Sequence, residues 1–577
     1  MTSDTEAPAA FLRAAEADLL DLSVETAHAD WVHATYINDD TQALAAKANA
    51  RLIASTVQWA KRSMALGAAQ LGPEERRKVK LLRLSLSLVA PEDPKEGEEL
   101  SRTVAEMQGT YAKGRHIPIG ATEPVDLQAL SRILSESRDP IRLEDAWTGW
   151  HRVGREIRTP FLRYVDLANR GSRELGFSDV GMMWRSKYDL PPDEFAKEVE
   201  RLWQQVRPLY ESLHAYTRLR LRGVYGPERV PERGPIPAHL LGNMWAQSWE
   251  GIFPLVAPPD AAPGFDLTEI LVGRHTTPTE MVRFGERFFV SLGLAPLPPS
   301  FWVRSMIVRP RDREVVCHAS AWDLDFVDDL RIKMCIEITG EDFQTIHHEL
   351  GHNYYQRAYS HQPFLFRESA HDGFHEAVGD TIGLSVTPEY LVRAGLLDAA
   401  PDASRDIGLL LQRALEKVAF LPFGLVVDRW RWDVFNGQIA PRDYNRSWWE
   451  MREKYQGIRP PHVRGDEEFD PGAKYHVPAN VPYMRYFLAH ILQFQFHRAL
   501  ARTIGHTGPL HRASIYGSKE AGDRLRAMLE MGSRNEWPDA LEAVTGERRM
   551  DAQGLLDYFA PLQRWLEDQL RGVPRGW

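Results

Sequence analysis

Only two cysteines occur in 577 residues, which leaves room for one disulfide at most. No apolar run approaches the roughly 18 residues that a bilayer-spanning helix needs, so no transmembrane segment is expected. Charge of one sign is also missing: 70 Lys and Arg are scattered among 80 Asp and Glu, with a net charge of −10 and a pI near 6.1. That excludes both the basic stripe of a nucleic-acid binder and the polybasic patch of a membrane-surface protein, so nucleic acid is not an expected partner. The start, Met1 to Glu6, is polar and acidic, unlike a secretory leader, which taken literally places the chain in the cytoplasm. Linkers and repeats are absent too. The Pro- and Gly-rich stretches Val230–Pro237 and Arg459–Gly472 are short and lead into apolar periodic text, so a single domain over 1–577 is expected despite the length.

What is present is mostly helical text. Apolar residues recur at three- and four-residue spacing over Ala43–Leu66, Pro73–Ala90, Leu127–Ser137 and Pro192–Val224. Alternating strand-like text is confined to stretches such as Glu314–Trp322 and Leu330–Ile338. Those two stretches form a predicted hairpin, with Cys317 and Cys335 placed symmetrically about Phe326. Facing positions on antiparallel strands are close enough for a disulfide, and two buried thiols are the alternative.

The stretch that carries chemistry is Ile346-His347-His348-Glu349-Leu350-Gly351-His352. Residues four apart on a helix share a face, so His348 and His352 can turn both imidazoles towards one metal, with Glu349 beside them as a general base. Thr339 reads as the N-cap of this helix, with acidic Asp342 three positions on, and the helix is expected to run through Tyr354 to about Tyr359. A second helix, Glu368 through Val386, contains Glu376 and Asp380 one turn apart on one face. Zinc in hydrolases takes three protein ligands and leaves a fourth position to water, and its imidazole ligands usually donate their other N–H to a carboxylate or carbonyl. Glu376 is therefore assigned as the third ligand, and Asp380 as the carboxylate that supports the ligands from behind.

With these helices laid out, the chain resembles the peptidyl-dipeptidase A (angiotensin-converting enzyme) family of zinc dipeptidyl carboxypeptidases. The resemblance is carried by Gly234–Gln247, Val316–Trp322, the zinc motif, Gly373–Asp380, Phe469–Lys474 and Val481–Phe487, and it is strong from about Trp184 onward. It implies a zincin-like helical ellipsoid with a deep central cleft, an N-terminal helical lid over about residues 1–100, and a small β hairpin near the active site. It implies one Zn2+ on His348, His352 and Glu376, Glu349 as base and then acid, and Tyr486 with His476 stabilising the oxyanion. It further implies that Gln247, Lys474 and Tyr483 hold the free C-terminal carboxylate of an oligopeptide. His318 would bond peptide carbonyls near the cut, and the backbone from Ala319 to Ala321 would pair with substrate as an added strand.

The resemblance also implies chloride activation. Tyr188 and Arg485 match the chloride site nearer the centre. The more distant site keeps Trp448 and Arg452 but has His151 where a second arginine is expected. Relatives in this family are commonly periplasmic or secreted, against the cytoplasmic reading of the start, and a monomer is the expected state. Three other readings remain beside the dipeptidase: an endopeptidase with the same motif, a single-residue carboxypeptidase of the same fold, and a non-catalytic peptide-binding scaffold. The scaffold would be marked by loss of Glu349 or of a ligand, and none is lost.

Overall fold

A computed structural model describes residues 7–66, 71–259, 261 and 265–577, so the polar start Met1 to Glu6 lies outside the described residues. Among the described residues helices dominate, and the only strands are two short pairs. Ile236–Pro237 runs parallel to Ile458–Arg459, and Ser320–Asp323 pairs antiparallel with Leu330–Lys333. One hydrophobic core runs from Ala60 to Leu570. A smaller cluster of Phe11, Leu12, Leu19, Leu71, Val79 and Leu82 lies under the first helices. No helix among the described residues is long and apolar enough to cross a membrane.

Helix boundaries follow local chemistry. The helix read over Ala43–Leu66 starts earlier, at Asp39, because Asn38 caps it by accepting the Thr41 N–H at 2.8 Å. Pro73–Leu84 stops short of the expected Ala90, while Leu127–Glu136 and Pro192–Tyr225 end within one residue of the reading. A long helix over Pro8–Thr35 falls within the expected N-terminal helical lid, although no span was read for it.

The hairpin is real but shorter than its alternating text. Its register sets Ser320 against Lys333 and Ala321 against Ile332. The flanking residues take other partners: Val316 N–H bonds Ala34 O at 2.8 Å, Ile37 N–H bonds Glu314 O at 2.9 Å, and Met334 N–H bonds Met306 O at 2.7 Å. Beyond the ladder, Cys317 and Cys335 stand with Cα atoms 5.0 Å apart and form a disulfide, which resolves the alternative left open above.

Two helices build the centre of the molecule. The motif helix spans Gly340–Tyr359, and Thr339 caps it by accepting the Asp342 N–H at 3.1 Å. Asp342 does not reach back to complete a capping box; its carboxylate takes the Glu337 N–H instead, at 2.7 Å. The second helix spans Asp372–Leu384, four residues later at its start than read, with His371 as its cap. The two cross where Gly351 meets Gly379. A Cβ on Gly351 would sit 2.9 Å from the Gly379 Cα, and one on Gly379 would sit 2.7 Å from His348 Nδ1. Only glycines allow this approach, and it sets the spacing of the ligands.

Candidate functional site

His348, His352 and Glu376 converge, with one ligand atom from each lying within 4.8 Å of the others. His348 Nε2 is 3.0 Å from His352 Nε2 and 3.7 Å from Glu376 Oε2. Two imidazoles and a carboxylate from facing helices are the donor set of a hydrolytic zinc site, and these residues form a metal site that zinc would fit. The neighbouring His347 is not part of it. It is buried on the opposite face, bonded to Phe343 O at 2.7 Å and to the Tyr390 hydroxyl at 3.0 Å.

What stands behind the ligands supports the same fit. His348 Nδ1 lies 3.2 Å from Asp380 Oδ1, while Gln493 donates to Asp380 Oδ2 at 3.0 Å and Lys417 Nζ lies 3.5 Å from Oδ1. Burial disfavours a charged His348, but Asp380, joined by Glu349 and Glu376, outweighs it and raises the imidazole to about 9. Burial likewise opposes ionised Asp380, yet Lys417 and His348 together hold it well below the usual carboxylate range. A cation would thus find an ionised carboxylate already behind one ligand. On the other side, His352 Nδ1 and His375 Nδ1 are 2.7 Å apart, so a metal-bound His352 can donate its second N–H to His375. His375 had been given no role from sequence, nor had Lys417 or Gln493.

Glu349 is buried beside the ligands, and burial is the main cause that raises its carboxyl; His348 and the Ala321 backbone N–H act against the shift. The outer edge of the hairpin therefore faces the base. His318 and Ala319 line the same cavity of about 1110 Å³ together with His348, Glu349, Gln344 and Thr345. Lys333 pins this edge by donating to Val316 O at 2.8 Å and His318 O at 2.6 Å.

The proposed carboxylate pocket assembles from distant text. Lys474 Nζ donates to Gln247 Oε1 at 2.7 Å and the Tyr483 hydroxyl approaches the same oxygen at 3.4 Å. The lysine also lies 4.2 Å from the centre of the Trp245 ring. Burial, with Arg452 adding repulsion, pushes Lys474 down to about 7. Tyr483 leads to the candidate oxyanion donors: its ring centroid is 4.9 Å from that of Tyr486 and 4.6 Å from that of His476. Burial raises Tyr486, with Arg485 opposing and Glu376 reinforcing, so its hydroxyl keeps its proton beside the metal ligand. His476 is held far below the usual imidazole range, first by burial and then by Lys474, so it is neutral.

A fully buried ion pair that sequence reasoning passed over holds this wall in place. Asp428 and Arg431, three apart in the apolar run Leu425–Trp432, bond each other. Asp428 Oδ2 accepts the N–H groups of Tyr483 and Met484 at 2.7 Å each, and Arg431 donates to His476 O and Val481 O. The signal was available, because Asp428, Arg429 and Arg431 interrupt an otherwise apolar stretch, and charged residues are rarely buried unless paired.

Tyr188 and Arg485 are also brought together, but around a carboxylate. The Tyr188 hydroxyl donates to Asp372 Oδ1 at 3.1 Å and Arg485 Nη2 lies 3.2 Å from Asp372 Oδ2. At the more distant position, His151 stacks on Trp147 with centroids 3.7 Å apart, and burial lowers it to about 4. A neutral His151 adds no second cation to Arg452, which bonds Gln456 and Trp245 O and lies over Trp448.

Comparison with known proteins gives the same direction. The family model described as "Angiotensin-converting enzyme" matches residues 2–577. Angiotensin-converting enzyme from Bos taurus is 43% identical over 566 residues, covering 96% of this chain and 43% of that protein. The Mus musculus enzyme is 42% identical over 560 residues, covering 96% of this chain and 42% of its own length. The enzyme from Theromyzon tessulatum is 47% identical over 453 residues, covering 78% of this chain and 73% of that protein. The chain thus spans less than half the length of the mammalian relatives it matches.

Proposed function

The chain belongs to the angiotensin-converting enzyme family, and on that premise we propose that it is a zinc metallopeptidase releasing C-terminal dipeptides from oligopeptides. The observation that carries the reading is the continuity of the metal triad, through Tyr486 and Tyr483, with a buried lysine aimed at a glutamine. A buried cation with neutral donors is what recognition of a free carboxylate requires.

Zinc held by His348, His352 and Glu376 would supply a Lewis acid for the scissile carbonyl and lower the pKa of water at the site. Glu349, buried and raised, accepts the proton of the attacking water and returns it to the leaving amine. Tyr486 and neutral His476 donate towards the oxygen on which negative charge develops, an interaction stronger in the transition state than in the substrate. Lys474, Gln247 and Tyr483 fix the C-terminal carboxylate, which sets the cut two residues from the end. His318 and the backbone at Ala319 and Ala321 orient the peptide along the hairpin edge.

One chain would suffice as the acting unit, since the metal triad and the Gln247–Lys474–Tyr483 pocket both assemble within it, and residues 1–577 form one peptidase unit. The first hundred residues act as a lid, a role supported by their own small hydrophobic cluster, which packs against Phe364 and Leu365. The Cys317–Cys335 bond in the cavity wall supports a periplasmic or secreted setting, where disulfides persist. Product analysis of a short unblocked peptide tests the reading. Dipeptides should leave stepwise from the C-terminus, stop with a chelator and resume with zinc; single-residue or internal cuts would overturn it.

A further inference from the structure

We infer that Asp372 is a built-in anion: its carboxylate fills the Tyr188–Arg485 site from within the chain, so that positioning of Tyr486 does not depend on chloride. The inference rests on the reading of Tyr486 as an oxyanion donor. Both carboxylate oxygens are engaged, Oδ1 by the Tyr188 hydroxyl at 3.1 Å and Oδ2 by Arg485 Nη2 at 3.2 Å. A halide at this site would have to displace that carboxylate or sit against it, like charge beside like charge.

The place of Asp372 in the fold gives the contact its reach. It is the first residue of the Asp372–Leu384 helix, which carries Glu376 one turn on. Arg485 stands in the first turn of the Met484–Thr503 helix, directly before Tyr486. The Asp372–Arg485 pair therefore ties the N-terminus of the helix bearing a metal ligand to that of the helix bearing the oxyanion donor. Two positive helix ends, Arg485 and the neighbouring Lys187 meet here; Asp372 acts on both cations, with Glu368 also acting on Lys187. His371 completes the corner: its side chain accepts the Gly373 N–H at 3.1 Å and its ring packs edge-on against Tyr188, centroids 5.3 Å apart.

Glu376 also acts on Arg485. Without an anion at Asp372 the guanidinium would be drawn towards that ligand, and Tyr486 would move with it. Asp372 is thus a positioning residue that acts on Tyr486 through Arg485.

The test compares chloride with gluconate at constant ionic strength, up to about 0.15 M, the physiological value. Wild-type kcat/KM should change by less than about twofold, whereas Asp372→Ala should lose about ten- to a hundredfold in gluconate, as small misplacements at reacting centres do. Chloride or bromide, but not gluconate, should restore most of that loss, which a purely structural defect would not show. Asp372→Asn should behave in the same direction. A readout independent of activity is the anomalous signal of bromide soaked into crystals of the zinc-loaded protein. Bromide should appear between Tyr188 and Arg485 in Asp372→Ala and not in the wild type.

A wild-type enzyme that needs chloride, with bromide bound at this pair, overturns the inference. So does a folded Asp372→Ala that neither binds bromide nor responds to it. If Asp372→Ala does not fold, the wild-type bromide and chloride measurements decide alone. If the wild type cleaves no peptide at all, the proposed function fails, and the bromide comparison still decides whether Asp372 fills the site.

Discussion

The metal centre and the carboxylate pocket are built in opposite ways. At the centre, ligands and supports come from two helices at i, i+4 spacing, His348 with His352 and Glu376 with Asp380. In the pocket, Lys474 meets Gln247 across 227 positions and Tyr483 meets it across 236. Their electrostatics differ as well. At the centre, an ionised Asp380 raises His348 towards its charged form, whereas in the pocket burial pushes Lys474 towards its neutral form. The centre is thus prepared to receive a cation, and the pocket holds a cation that a substrate carboxylate would stabilise. Under the proposed function, reaction chemistry would belong to the local half and the choice of where to cut to the long-range half.

The sharpest way to break the two halves apart is Glu349→Gln. It should lower kcat on the order of 100-fold or more while zinc content and the Kd of an unblocked peptide stay near wild type. Steady-state kinetics with metal analysis and calorimetry would check this. Next comes Lys474→Met, which should cost on the order of 100-fold in kcat/KM on peptides with a free C-terminus. Its cleavage of C-terminally amidated peptides should hardly change, and equal losses on both would deny the pocket its role. Asp380→Asn probes the centre alone: zinc affinity, read by competition with a chelator, should fall about 10- to 100-fold. A melting curve of the apo protein would separate that loss from unfolding.

The smallest expected effect is pH dependence, and its sign follows from Lys474. With its pKa lowered to about 7, the lysine is charged below that value and loses its charge as pH rises through it. For unblocked peptides kcat/KM, which reports the free enzyme, should therefore fall above about pH 7, by up to about tenfold per unit. The amidated twin should lack this limb, and Lys474→Met should abolish it.

The contrast between the halves also explains what could be read from sequence. His348, Glu349, His352, Glu376 and Asp380 were legible because helix geometry converts sequence spacing into proximity. The carboxylate pocket, Tyr486 and the anion site came only from the family resemblance, since no local rule joins Gln247 to Lys474. Supports that act across elements were passed over: His375 behind His352, the Asp428–Arg431 pair behind Tyr483, and Asp372 at the anion site. Among the elements, Pro192–Tyr225 was read almost to the residue, because its apolar positions keep helical spacing from Phe195 to Tyr225, even though Ser212–Arg218 is buried all round. Pro8–Thr35 was given no span of its own because apolar residues also occupy its outer face, exposed Val32 among them, and blur the buried stripe. The strands were over-read because Val316 and Met334 satisfy their N–H groups with Ala34 and Met306 rather than with each other's strand.

The central claim is that a zinc centre and a carboxylate pocket act together on the end of a peptide. One measurement tests it most directly: mass-spectrometric timing of products from an unblocked peptide and its amidated twin, each with zinc-loaded enzyme. The account predicts successive C-terminal dipeptides from the first and much slower release from the second. Equal rates for the two peptides, with the same cut positions, would contradict it.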